Sequence, residues 1–128
     1  MAHKILVVDD DPYIVKYIVG LLETNGYLTC SASDGPEALK VLEREKPDMV
    51  TLDLEMPQEW GPRFYRKMTQ LKDYEDIPVV VISGLAGIHH AIRNAVASLQ
   101  KPFDPEKLLD IIGKTLADRV PKAENGAA

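Results

Sequence analysis

Lys4-Ile5-Leu6-Val7-Val8-Asp9-Asp10-Asp11-Pro12 sets an apolar, β-branched run directly against three carboxylates and a proline. The run predicts a short, fully buried strand over Lys4–Val8. Asp11-Pro12 predicts a helix start, with Asp as the N-cap and Pro where a missing N–H costs nothing. Asp9 and Asp10 are left without a structural role. Side-by-side carboxylates repel, and burying one is costly unless a cation or hydrogen-bond donors meet it.

The same unit recurs along the chain. Ile14, Ile18, Leu21 and Leu22 keep helical spacing up to a left-handed cap at Asn25-Gly26. Tyr27–Ala32 reads as a second strand, and Asp34-Gly35-Pro36 opens a helix with Ala38, Leu39 and Leu42 inward, finished by about Lys46 before Pro47. Met49–Leu52 is a third strand, ending at Asp53. Gly61-Pro62 starts a helix with Phe64, Met68 and Leu71 on one face. Pro78–Ile82 is a fourth strand, followed by a short helix with Ile88, Ile92 and Ala95 and a weak strand over Val96–Gln100. Asp104-Pro105 opens the last helix, which buries Leu108, Ile112 and Leu116. Strict alternation predicts an α/β fold: one doubly wound, five-stranded parallel sheet with helices on both faces.

Composition bounds the function. The 128 residues suit one domain, 1–119, with 120–128 as a flexible C-terminal tail. A net charge of -5 and a pI near 5.1 argue against a non-specific nucleic-acid or anionic-membrane binder. Cys30 is the single cysteine and reads as a small buried strand residue. The start lacks a secretory pattern, and Ile77–Ile88 is too short for a membrane span of about 20 residues. A cytoplasmic protein without membrane insertion is the expectation.

In doubly wound sheets the ligand site lies outside the carboxyl ends of the strands. Four of the five strands end in reactive side chains: Asp9 and Asp10, Asp53, Ser83, and Lys101 before Pro102. Only Ser31 and Ser33 mark the second strand. Three acids at one rim need a cation, and oxygen ligands that leave room for water suit Mg²⁺. Like-charge repulsion is expected to raise at least one carboxyl pKa without it. A carboxylate beside a metal, a lysine and a hydroxyl can attack a phosphoryl group and form an aspartyl phosphate.

"ILVVDDDP", "DLEMPQEWG", "VVVISG" and "KPF", in that order, resemble the motifs of response-regulator receiver domains of two-component signalling, and the likeness runs to about Leu116. The resemblance implies a flavodoxin-like strand order, 2-1-3-4-5. It also implies Asp53 as phosphoacceptor, and Mg²⁺ on Asp9, Asp10, Asp53 and the Glu55 carbonyl, with Asp10 the more direct ligand. Ser83 and Lys101 would face the phosphoryl group, and Lys101-Pro102 would be cis. A histidine kinase or histidine phosphotransfer protein would be the donor, an unknown protein the downstream partner, and the chain a switch catalysing only its own Mg²⁺-dependent phosphorylation and dephosphorylation.

Two departures touch the output surface. Receivers usually carry Tyr or Phe three residues before the lysine; here Ser98 stands there. The segment from Ser83 to Lys101 is several residues shorter than usual, which predicts a shortened fourth helix. A docking module that reads out nothing is therefore the alternative. A haloacid-dehalogenase-like phosphohydrolase would want Asp-x-Asp after the first strand and a cap domain, and the chain has neither. His89-His90 read as solvated neighbours pointing about 100° apart rather than a metal pair. Trp60 reads as a partner anchor or as packing over its own loop.

Overall fold

The computed structural model describes residues 2–84 and 95–122. Strands β1 (Lys4–Val8), β2 (Leu28–Ala32), β3 (Met49–Leu52), β4 (Val79–Ser83) and β5 (Ala97–Gln100) form one parallel sheet in the order β2-β1-β3-β4-β5. Helices α1 (Pro12–Thr24), α2 (Gly35–Glu45), α3 (Trp60–Thr69) and α4 (Pro105–Leu116) cover it. The short helix expected over Ile88 and Ile92, and His89-His90 with it, falls outside the described residues.

Alternation of side chains along each strand divides the core in two. Leu6, Val8, Val50, Leu52, Val79 and Val81 face one way and pack with Ala38 and Leu42 of α2 and Phe64 and Met68 of α3. Ile5, Val7, Met49, Val80, Ile82 and Leu99 face the other way, against Ile18 and Leu22 of α1 and Leu108, Ile112 and Leu116 of α4. The central strands β3 and β4 are buried throughout, as a sheet covered on both faces requires.

Three helices open on an aspartate cap. Asp11, Asp34 and Asp104 accept from the backbone N–H groups of Tyr13, Glu37 and Glu106 at 2.9, 2.7 and 3.0 Å. Element edges shift where a backbone group has another partner. β2 begins at Leu28 rather than Tyr27, because the Tyr27 N–H donates to Leu22 O and, with Gly26 at φ +91°, closes α1. β4 begins after Pro78, which has no N–H to give the ladder. A 3₁₀ turn over Pro57–Glu59, with Gln58 at φ 60°, precedes α3 and starts it at Trp60 rather than Gly61.

Packing continues past Arg119. Pro121 is buried, and Asp48 accepts the backbone N–H groups of Lys4 and Lys122 at 2.8 and 2.5 Å. Asp48 thereby ties the backbone of Lys122 to the start of β1.

Candidate functional site

The carboxyl ends of β1, β3, β4 and β5 build one cleft. Backbone pairing fixes its residues one step beyond the strands: Asp9 N–H donates to Ala32 O, Asp53 N–H to Val8 O and Lys101 N–H to Ser83 O, at 3.2, 3.0 and 2.8 Å. Side chains mounted on a hydrogen-bonded sheet end are held more closely than any loop could hold them. The Lys101-Pro102 bond is cis.

The three consecutive aspartates divide their roles by burial. Asp9 is 2% exposed, Asp10 is exposed, and Asp11 caps α1. Asp9 Oδ1 accepts the Asp11 N–H at 2.9 Å, and its Oδ2 accepts from Lys101 Nζ at 2.8 Å. Asp53 is 3% exposed; its Oδ1 accepts the Glu55 N–H at 3.0 Å and lies 3.7 Å from Lys101 Nζ. One carboxylate oxygen from each of Asp9, Asp10 and Asp53 lies within 4.8 Å of the others, a set able to hold a divalent cation. Ser83 is fully buried at the end of β4.

Electrostatics follow from this crowding. Burial, the largest influence, pushes the Asp53 carboxyl up to about 6; the Glu55 N–H opposes it, Asp9 adds to it, Lys101 opposes it and Asp10 adds to it. The upward shift expected from like-charge repulsion is present, but desolvation leads it. Burial alone would lower Lys101; the hydrogen bond to Asp9 and the charges of Asp53, Asp9 and Glu55 outweigh it and hold the ammonium above the ordinary lysine value. Cys30 lies half-buried outside the cleft, its thiol pushed up to about 11 chiefly by burial. Burial of this kind disfavours the thiolate, the nucleophilic form.

Asp10 borders two cavities. One of about 630 Å³ extends over Val15, Lys16 and Ser33, and another of about 310 Å³ reaches Met56, Pro57 and Trp60. Trp60 packs against the start of α2: a Cβ placed on Gly35 would fall 2.0 Å from its ring. Arg63 sits over that ring at 4.4 Å, and the indole N–H donates to Gln58 Oε1 at 3.3 Å. Of the two roles read for Trp60, packing is the one seen here.

Residues 5–113 match the family described as response regulator receiver domain. The chain belongs to that family. This receiver is 42% identical over 117 residues to protein Rrf1 of Nitratidesulfovibrio vulgaris, covering 91% of this chain and 85% of that protein. It is 30% identical over 125 residues to the chemotaxis protein CheY of Bacillus subtilis, covering 91% and 99%. It spans only part of longer relatives: 51% of a probable transcriptional regulator ycf27 of Porphyridium aerugineum and 29% of the transcriptional regulatory protein GlrR of Escherichia coli. A putative response regulator from Chloroflexus aurantiacus superposes with a TM-score of 0.85 at 26% identity, over 91% of this chain and 99% of that one. CheY4 of Vibrio cholerae gives 0.81 at 27% identity, over 89% and 98%. Receivers are signalling switches of two-component systems. No described helix is long and apolar enough to cross a membrane.

The sequence reading brought Asp9, Asp10, Asp53, Ser83 and Lys101 to one rim; in the structure the carboxylates of Asp9, Asp10 and Asp53 converge, Lys101 reaches Asp9, and Ser83 pairs through its carbonyl with the Lys101 N–H. It did not find the Glu55 side chain, whose Oε2 accepts the Gly84 N–H at 3.2 Å. A glutamate in a loop carries no sequence signal for such a partner.

Proposed function

We propose that the chain is the phosphoacceptor switch of a phosphorelay, taking a phosphoryl group on Asp53. The observation that carries this is the placement of a buried carboxylate, Asp53, within 4.8 Å of two further carboxylates and 3.7 Å from an ammonium. An ionised Asp53 oxygen forms the new O–P bond as the N–P bond of a phosphohistidine breaks, and the leaving imidazole takes its proton from solvent. Lys101 moves from Asp9 toward the charge arriving on the phosphoryl oxygens, and the Ser83 hydroxyl donates to one of them.

Asp9, Asp10 and Asp53, with the Glu55 carbonyl, would hold Mg²⁺; the oxygen-only donor set fits it, and the ion supplies charge neutralisation on the transferring group. The donor is a histidine kinase or histidine phosphotransfer protein, and the product state alters contacts with a downstream protein. The receiver unit is taken as residues 1–119, with Lys122 just beyond it tied to Asp48. Catalysis extends only to the chain's own phosphorylation and dephosphorylation, in the cytoplasm. Ser98, half-buried in β5 beside Val81, favours the second reading, a docking module with no conventional readout.

The test is calorimetric titration with beryllofluoride, a phosphoryl mimic, in Mg²⁺. One equivalent should bind, and binding should vanish in EDTA and in Asp53→Asn. Retained binding in Asp53→Asn overturns the assignment.

A further inference from the structure

Charge segregates along α3. Gly61, Phe64 and Met68 turn one side of the helix to the core, and helical spacing puts Arg63, Arg66 and Lys67 on the opposite side. Trp60–Thr69 holds no acidic residue at all. Lys72 follows the helix, and then the sign reverses: Asp73, Glu75 and Asp76 are exposed in the turn that leads to β4. Tyr74 between them packs back on the core. Burial, then the charges of Glu43 and Asp73, push its hydroxyl above the ordinary value, so Glu43 of α2 adds to the same acidic corner. Arg66, Lys67, Asp73, Glu75 and Asp76 are all exposed, and none is in an ion pair among the described residues.

Exposed helical cations are commonly offset by acids one turn away, and α3 has none. Arg66 and Lys67 stand in the last turn, where they complement the helix's carbonyl end. Arg63 lies near the start, where that effect works against a cation, and it is held over the Trp60 ring at 4.4 Å. The helix is about 15 Å long, so the strip is basic along its length and acidic beyond its end. Such a strip complements itself when turned end for end. A two-fold axis near Gln70 lays each copy's basic side over the other's acidic corner. Lys72, beside that axis, has a stem long enough to keep its ammonium in water.

We propose that this strip is a contact surface for a second copy of the chain, with Arg63, Arg66 and Lys67 of each copy meeting Asp73, Glu75 and Asp76 of the other. The net charge of -5 on each chain opposes association. At about 0.15 M salt, however, charges interact over about 8 Å, so contacting charges attract while the rest are largely screened. Pairs of this exposed kind make a weak, reversible dimer.

The test is sedimentation equilibrium of the full chain, without Mg²⁺ or any phosphoryl mimic, so that it is independent of the chemistry at Asp53. Wild type should form dimers that dissociate toward 1 M salt. Arg66→Glu with Lys67→Glu makes the strip acidic throughout, and Asp73→Lys with Glu75→Lys makes it basic throughout. Symmetry sets like charges together twice in each homodimer, so each variant should self-associate about tenfold more weakly, or less still. An equimolar mixture of the two should form mixed dimers with near wild-type affinity, which also shows that both variants are folded.

Wild type that stays monomeric at every concentration would overturn the proposal. So would a dimer indifferent to salt, variants that self-associate as wild type does, or a mixture that stays monomeric. A changed melting temperature with unchanged mass would leave Arg66 and Lys67 as helix-end charges alone and overturn it too.

Discussion

Lys101 is bonded to Asp9 at 2.8 Å, across 92 residues of chain, and is held there rather than on Asp53. The Asp9 side chain is 3% exposed and that of Lys101 19%, so the pair sits at the inner wall of the cleft. Removing one member leaves the other desolvated and short of a partner, which costs more than the intact pair contributes. Lys101→Ala should therefore lower unfolding stability in EDTA by about 2 kcal/mol, below the fully buried range because water reaches the lysine. Urea denaturation measures it. A variant as stable as wild type would show that Asp9 does not need the ammonium.

Asp53 gives stability a definite pH slope. Its carboxyl is raised from 3.8 to about 6, so the folded chain binds this proton more tightly than the unfolded chain does. The favourable contribution is full below about 3.8 and is lost as pH rises through about 6. Asp53→Asn cannot ionise. Metal-free, it should be more stable than wild type above that range by about 2 kcal/mol, after discounting for solvent at the open mouth. The difference should shrink toward the acid end of the window. Thermal unfolding across that pH range decides it, and a pH-independent difference would point to packing rather than ionisation.

Mg²⁺ should raise the melting temperature by mass action, since the three carboxylates converge only in the folded chain. Asp10 is the exposed member, so replacing it removes charge without opening a cavity. Asp10→Ala should melt above wild type in EDTA and should lose most of the Mg²⁺ response. An Asp10→Ala that melts lower in EDTA contradicts the repulsion on which this rests.

Much of the site was legible because three of its residues directly end an apolar run. Val8 to Asp9, Leu52 to Asp53, and Ile82 to Ser83 mark the point where a buried strand meets the sheet's carboxyl rim. Parallel order does the rest, bringing residues far apart in sequence onto one edge. Asp11 and Asp34 were legible as caps because cap chemistry is local. Glu55 to Gly84 and Trp60 to Gly35 were not, because each joins segments meeting only across the folded sheet. Asp48 was missed for the same reason: its two partners, the amides of Lys4 and Lys122, come from opposite ends of the chain.

The Trp60 contact yields its own prediction. Gly35 is buried at the first position of α2, and an added methyl would fall inside van der Waals distance of the indole. Gly35→Ala should cost about 1–2 kcal/mol and shift Trp60 fluorescence as the ring is displaced. In a Trp60→Ala background the same change should cost nothing, because the obstacle is gone. An equal cost in both backgrounds would locate the strain elsewhere than at the ring.

The most direct measurement is intact mass after incubation with acetyl phosphate, comparing wild type with Asp53→Asn in Mg²⁺ and in EDTA. Wild type in Mg²⁺ should gain the mass of one phosphoryl group per chain, and wild type in EDTA none. Asp53→Asn should gain none under either condition. Equal gain by wild type and Asp53→Asn would contradict Asp53 as the phosphoacceptor.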